Sequence, residues 1–235
     1  MLVGLSKGGL GPLGALAVPI LSLVISPVQA AGLTLPIFVL SDIVAVVSYR
    51  RSFDVRVLKV MLPAAIAGIG LGWLTAAKVN DDAVRLIVGL VSASFALNYW
   101  FRGRLVSEPA KLSGPKGAFW GAVSGYTSFV SHSGGPPYQL YVLPLGLAPT
   151  VFAGTSVIFF ATVNALKLIP YFFLGQFKTA NLEAAALLTP ISIACALIAV
   201  RIVKVIDIKR FYRLVYALMF AMGLFLVAQA AMDLI

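Results

Sequence analysis

The sequence is poor in charged residues. Only 11% of its 235 residues are charged, whereas soluble domains average about a quarter. Hydrophobic residues make up 60% of the chain, and its mean hydropathy is +1.00. This balance excludes an ordinary soluble protein. Because a membrane span needs about 20 residues, about seven or eight membrane segments would use the whole length. We therefore expect an all-α polytopic membrane protein with a single integral membrane domain.

Cysteine and histidine are nearly absent, with one of each, Cys195 and His132. A single cysteine excludes an internal disulfide and a cysteine-based metal cluster. A membrane-embedded enzyme would need a nucleophile with its base, or several metal ligands. Beyond these two residues, the chain is expected to place one carboxylate, Asp42, inside the membrane. The sequence thus predicts a protein that is not an enzyme and that binds neither a metal nor a cofactor.

Acidic residues are also few: eight Asp and Glu stand against 18 Lys and Arg, for a formal net charge of +10. In a soluble protein this excess could indicate a nucleic-acid partner. Here the basic residues lie in the connections between apolar runs, which is typical of the cytoplasmic loops of membrane proteins. We expect the lipid bilayer and no nucleic acid as a partner, with the basic loops on the cytoplasmic side.

Eight apolar runs are present, and all are expected to be helical because a segment in lipid must satisfy its own backbone. They lie at about 12–26, 28–48, 60–77, 83–101, 117–147, 151–173, 180–203 and 208–232. Glycine and proline are concentrated at residues 7–12 and 131–137. Both residue types disfavour helix interiors, so a broken helix is predicted at each place.

The breaks belong to an internal repeat, which appears when the chain is shifted by 122 residues. Residues 27–49 then share five identities with the second half: Pro27 with Pro149, Ala31 with Ala153, Gly32 with Gly154, Phe38 with Phe160 and Tyr49 with Tyr171. The first repeat is placed at residues 1–116 and the second at 117–235. The first break has only six residues before Lys7. Its leading arm is either vestigial or begins upstream.

The basic residues favour an inverted repeat. Eight full crossings would place ten of them on one side and seven on the other. If each broken segment is a re-entrant hairpin and each repeat adds three crossings, the division becomes thirteen against four. The larger imbalance fits the positive-inside bias, so we predict two inverted repeats, each with a re-entrant segment and about three transmembrane helices.

The second break is the strongest candidate for a binding site. Pro136 and Pro137 suit the first turn of a helix, whose N-terminus would point into the membrane interior. Its dipole and free donors, with the hydroxyls of Ser131 and Ser133, could bind an anion, although a break used only for packing is the alternative. The predicted substrate-binding residues are Ser131, His132, Ser133, Gly134, Gly135, Gln139, Thr155, Ser156, Asn164, Gly11, Pro12 and Thr34.

Three titratable residues are candidates for charge or proton coupling: Asp42, Lys167 and His132. A charge inside a membrane is costly unless it is paired or reaches water. Asp42 could form a structural pair with Lys7 or Lys167, or exchange protons. Lys167 could instead extend to the interface, and His132 could serve only as a hydrogen-bonding residue. A polar stripe from each repeat is expected to face a shared interior.

These motifs resemble the TauE/SafE family of sulfite and organosulfonate exporters. The resemblance lies in GGLGP at 8–12, SHSGGPP at 131–137 and GTS at 154–156, although the first repeat has GLT at 32–34. It implies a permease of the bacterial inner membrane that exports sulfite, sulfoacetate or other organosulfonates by alternating access, with proton coupling left open. The alternatives are a passive anion channel and a permease for another anion, such as a carboxylate. A homo-oligomer is also left open.

Overall fold

The computed structural model describes residues 1–21, 24–25, 27–75, 81–101 and 109–233. All regular secondary structure in these residues is helical, as predicted. The α-helices are α1 (Leu2–Lys7), α2 (Ala17–Leu21), α3 (Pro27–Tyr49), α4 (Val55–Thr75), α5 (Asp81–Phe101), α6 (Gly114–Ser131), α7 (Gly135–Val142), α8 (Pro149–Phe173), α9 (Thr179–Val205) and α10 (Ile208–Asp233). Two 3₁₀ helices lie at Gly11–Leu16 and Leu143–Leu145.

Six helices of more than 20 residues lie outside the two broken segments in the described chain. Five of them, α3, α4, α8, α9 and α10, contain stretches that are long and apolar enough to cross a membrane. The sixth, α5, has a shorter apolar part at Leu86–Leu97. Each half of the chain therefore contributes three long helices. This is the number expected if the broken segments are re-entrant.

The run at about 12–26 departs from the prediction of a single helix. It forms the 3₁₀ helix Gly11–Leu16 and then the five-residue α2, while residues 22, 23 and 26 lie outside the described part. Two glycines and two prolines occur between residues 11 and 21. Both types weaken an α-helix, so this segment is too short to span a membrane.

Both predicted helix breaks are present. Helix α1 ends at Lys7, and the next helical segment begins at Gly11. Helix α6 ends at Ser131, and α7 begins at Gly135 with two prolines in its first turn. Between them His132 adopts the left-handed conformation, with φ of 54°, which reverses the chain.

The second break is the tip of a hairpin that returns to the level where it started. The Tyr141 hydroxyl, near the end of α7, donates to the carbonyl of Ser113 (3.0 Å) and accepts from its amide (3.2 Å). The Ala110 amide also donates to the carbonyl of Pro144 (2.9 Å). Since Ser113 directly precedes α6, the two ends of the hairpin lie together. This geometry is what a re-entrant segment requires.

Helices α3 and α8 cross in opposite directions at the centre of the molecule. Asn164 on α8 donates to Asp42 on α3 (2.8 Å). Further along α3, Tyr49 packs beside Gly154, which lies earlier on α8. Residue numbers therefore rise along one helix as they fall along the other. This antiparallel relation supports the inverted repeat, which remains a prediction.

Small residues let α4 and α6 approach closely. A Cβ atom on Gly68 would overlap the carbonyl oxygen of Ala122, and one on Gly125 would overlap that of Ala65. Gly70 points away from α6 and has nothing within 4 Å of its Cβ position. Glycines thus permit a close backbone approach on one face of α4.

We expect Gly68→Ala to destabilise the protein and Gly70→Ala to leave it unchanged or slightly more stable. The first substitution forces two helix backbones apart, at a cost of about 1–3 kcal/mol. The second adds a methyl group in open space and improves helix propensity. Thermal unfolding of the purified variants in detergent measures both effects, and equal melting temperatures would contradict the packing described here.

Candidate anion-binding site

The two helix breaks border a small cavity in the middle of the molecule, with a volume of about 40 Å³. Since one water occupies about 10–15 Å³ on this scale, the cavity has room for a few waters or for the head of a small oxyanion. Helices α1, α3, α6, α7 and α8 and the 3₁₀ helix Gly11–Leu16 contribute the residues that line it. These are Ser6, Lys7, Gly11, Gly14, Phe38, Ser128, His132, Gly135, Ser156, Val157, Phe160 and Asn164.

The backbones of the two breaks approach each other at Gly11 and Gly135. A Cβ atom on Gly135 would lie 3.8 Å from the carbonyl oxygen of Gly11. One on Gly11 would lie 3.3 Å from Nε2 of Gln139 and 3.6 Å from Oγ of Ser156. The two glycines, which have no side chains, thus leave space between the first break and α7.

A buried ionic bridge ties the first break to both crossing helices. The Lys7 ammonium lies 2.8 Å and 2.9 Å from the two carboxylate oxygens of Asp42. Asn164 donates to the same carboxylate (2.8 Å). All three side chains are buried. Of the alternatives for Asp42, the structure contains the pair with Lys7.

Lys167 is completely buried and does not extend to the interface. Its ammonium donates to the carbonyl of Ser128 (2.8 Å) and approaches Oγ of the same residue (3.3 Å). It also lies 3.4 Å from Nδ1 of His132. These three partners are neutral acceptors, one for each ammonium hydrogen. The second buried lysine is therefore hydrogen-bonded, but no carboxylate is among these partners.

His132 links Lys167 to Tyr171. Its Nε2 lies 2.7 Å from the Tyr171 hydroxyl, which donates to the carbonyl of Phe129 (3.2 Å). A tyrosine has one hydroxyl hydrogen, so Nε2 is the donor to Tyr171 when that hydrogen points to Phe129. Nδ1 is then free to accept from a charged Lys167. The directions of these bonds are mutually consistent with a neutral His132.

A second tyrosine holds the other break in a related way. Tyr49, which the internal repeat aligns with Tyr171, donates its hydroxyl to the carbonyl of Gly8 (2.7 Å). Gly8 lies just after α1, as His132 lies just after α6. Each break is thus attached to the end of a crossing helix by a tyrosine hydroxyl.

Five of the predicted substrate-binding residues line the cavity. They are Gly11, His132, Gly135, Ser156 and Asn164. Gln139 faces Gly11 from one turn into α7. The backbone of Pro12 lies in the 3₁₀ helix, and its side chain is outside the described part of the structure.

The remaining residues around the second break bond to neighbouring backbone instead of lining the cavity. The Ser131 hydroxyl donates to the carbonyl of Thr127 (3.2 Å), and that of Ser133 to the carbonyl of Ser131 (3.2 Å). The Gly134 carbonyl accepts from the Ser124 hydroxyl (2.7 Å). These bonds support the turn between α6 and α7.

Thr155 faces away from the cavity. Its hydroxyl accepts from the amide of Asp54 (2.9 Å), in the loop between α3 and α4, and donates to the carbonyl of Val151 (2.6 Å). The Arg56 guanidinium beside Asp54 donates to that carboxyl (2.7 Å) and holds its pKa below the usual range. Thr155 therefore fastens a loop to α8.

Thr34 also lies away from the cavity. Its hydroxyl donates to the carbonyl of Ala30 (2.7 Å) on its own helix. It lines a separate pocket formed with residues of α1, α2 and α9. The sequence pattern of the first repeat predicts the helix face on which Thr34 lies, but it does not determine which elements pack against that face.

Several lining residues were absent from the predicted set, notably Ser6, Lys7 and Ser128. Ser128 precedes His132 by four residues, so the two share a face of α6. That spacing could have identified it. Ser6 and Lys7 belong to the short arm of the first repeat, whose position depends on packing against α9 that the sequence does not reveal.

We expect Thr155→Val to lower the free energy of unfolding by about 1–3 kcal/mol, because it leaves the buried amide of Asp54 without its acceptor. Thr162→Val is the matched control, since the Thr162 hydroxyl donates to the carbonyl of Ile158 on its own helix (2.9 Å). Thermal unfolding of the two variants makes the comparison. A Thr155→Val protein as stable as the control would contradict the structural role.

The model of the family described as sulfite exporter TauE/SafE matches residues 1–226 of the chain. No curated protein and no solved structure matches it. The match covers almost the whole chain and agrees with the resemblance carried by the three glycine-rich and serine-rich motifs. The protein therefore belongs to the TauE/SafE sulfite exporter family of membrane transporters.

Proposed function

We propose that the protein is a secondary transporter that exports small sulfur-containing anions, such as sulfite, sulfoacetate or other organosulfonates, by alternating access. The observation that carries this proposal is a small cavity between two helix breaks, lined by hydrogen-bond donors that include the Lys7 ammonium, with the buried Lys167 behind its wall. Family membership supports the class of anion.

The lining of the cavity offers several kinds of donor to an oxyanion. Ser128 and Ser156 supply hydroxyls, Asn164 supplies an amide and Lys7 supplies an ammonium group. The Ser6 hydroxyl donates to the carbonyl of Gly11 (3.0 Å). Hydrogen bonds from charged donors to oxyanions are about twice as strong as neutral ones. Because Pro136 and Pro137 have no amide hydrogen, the first turn of α7 contributes the Gly135 amide and the helix dipole.

Three connections gather at one end of the molecule. The α3–α4 loop is bonded to Thr155 in the first turns of α8, and the Tyr212 hydroxyl of α10 donates to the carbonyl of Leu147 (2.8 Å). The start of α6 joins the same end through the hairpin contact with Tyr141. Basic residues are frequent in these connections. We assign this end to the cytoplasmic side of a bacterial inner membrane.

Alternating access requires the cavity to open to either side in turn. The first broken segment contacts α3 and the second contacts α8. These two helices cross in opposite directions. Under the inverted-repeat hypothesis, each hairpin with its own helices can move against the other half around the fixed crossing. The anion would then be exposed first to the cytoplasmic side and afterwards to the opposite side.

Proteoliposomes loaded with sulfite test the proposal directly. We expect efflux that saturates with internal sulfite and that accelerates when sulfite outside allows exchange. Efflux that rises linearly with concentration and follows voltage without saturation would favour the channel instead. A carboxylate that competes better than sulfite or methanesulfonate would exclude a sulfur anion as the preferred substrate.

We further propose that His132 carries the coupling proton. The side chain lines the cavity and lies 3.4 Å from the Lys167 ammonium. Two positive charges at this distance repel each other, and an anion in the cavity would reduce that repulsion. Protonation of His132 is thus favoured when the anion is bound. Asp42 is occupied by Lys7 and Asn164, and Lys167 takes part through its contact with His132.

We expect His132→Gln to abolish anion movement driven by a pH gradient while retaining anion exchange. Glutamine can form hydrogen bonds but does not titrate in this range. Ser48→Ala is a suitable control, because the Ser48 hydroxyl donates to the carbonyl of Val44 on its own helix (2.8 Å). Retention of pH-driven movement in His132→Gln would assign the coupling proton to another group.

A further inference from the structure

The charged groups around the cavity do not cancel. Lys7, Asp42 and Lys167 are 6%, 3% and 0% exposed, respectively. The Lys7 ammonium and the Asp42 carboxylate are in direct contact, at 2.8 Å, and neutralise each other. The described contacts of the Lys167 ammonium are a serine carbonyl and hydroxyl and a histidine nitrogen. One lysine charge therefore has no opposite charge among these groups.

Lys167 lies directly behind the cavity wall. All three of its acceptor atoms belong to Ser128 and His132, and both of these residues line the cavity. Its charge can thus act on an occupant across a single layer of side chains. Lys7 lines the cavity itself. At distances greater than the separation of the two charges, however, the Asp42 carboxylate largely cancels the electric field of the Lys7 ammonium.

The number of charges on the occupant consequently matters. An uncompensated charge in a low-dielectric interior is costly, and attraction between opposite charges is stronger there than in water. A monovalent anion balances the Lys167 ammonium. With a divalent anion the site would carry one surplus negative charge. With a neutral molecule it would keep the surplus positive charge of Lys167.

We infer that the anion bound in this cavity while His132 is neutral carries one net negative charge, balanced by Lys167, so that the site selects anions by valence. A singly charged sulfonate is favoured over a doubly charged sulfate of similar size. Among the proposed substrates, hydrogen sulfite and simple alkylsulfonates are favoured over sulfoacetate, whose carboxylate adds a second charge. This inference rests on the proposed function, because it takes the cavity as the place where the transported anion binds.

Binding of three compounds of similar shape and different charge tests the inference: dimethyl sulfone, methanesulfonate and sulfate. Affinities are measured on the purified protein by calorimetry, near neutral pH and at constant ionic strength. We expect methanesulfonate to bind at least about tenfold more tightly than either of the others, given the cost of an unbalanced buried charge.

Two lysine variants then test the role of the charge. Lys167→Met should weaken methanesulfonate binding at least about tenfold, since the balancing charge is gone. Lys59→Met is the matched control, because Lys59 is exposed on α4, and it should bind methanesulfonate like the unmodified protein. Thermal unfolding establishes that each variant is folded before its affinity is compared.

Asp42→Asn changes the charge in the opposite direction. It frees the Lys7 ammonium, so the surplus becomes two positive charges and the ratio of affinities should shift towards sulfate by about tenfold. Sulfate binding as tight as methanesulfonate in the unmodified protein would overturn the inference while leaving an anion transporter in place. The absence of binding by every anion tested, sulfite included, would overturn the proposed function and this inference together.

Discussion

The contact among Lys7, Asp42 and Asn164 organises the centre of the molecule. It joins the arm before the first break to α3, and α3 to α8, through side chains that are all buried. Removing two charges from water costs several kcal/mol per ion, and close pairing with an additional amide donor offsets this cost. Loss of one partner would leave the other charge uncompensated. The position of the first break therefore depends on a polar contact at least as much as on apolar packing.

Much of the fold could be predicted from the sequence because glycine and proline act locally. Glycine and proline disrupt a helix whatever it packs against, and the helices are indeed broken at both 7–12 and 131–137. Glycine acts locally on α4 as well, where Gly68 allows contact with α6 and Gly70 faces open space. The run at about 12–26 was the exception, since its glycines and prolines are spread along the segment and shorten it throughout.

The site was harder to predict because a hydroxyl can bond in several directions. Ser156 lines the cavity, whereas the adjacent Thr155 fastens a loop on another side of α8. Successive residues on a helix point about 100° apart. The motif at 154–156 therefore brings both Thr155 and Ser156 near the cavity, but only Ser156 points into it. Asn164 and Asp42 were predicted as site residues, yet their mutual contact follows from the way in which α3 and α8 cross.

The two tyrosine contacts are not chemically equivalent. Tyr49 holds the first break through a peptide carbonyl, which keeps the same character at any physiological pH. Tyr171 holds the second through an imidazole, whose other nitrogen, Nδ1, faces the Lys167 ammonium and can no longer accept from it once it takes up a proton. The first break is thus anchored on a group that does not titrate and the second on one that does, so two attachments built from the same residue type differ in their sensitivity to acidity.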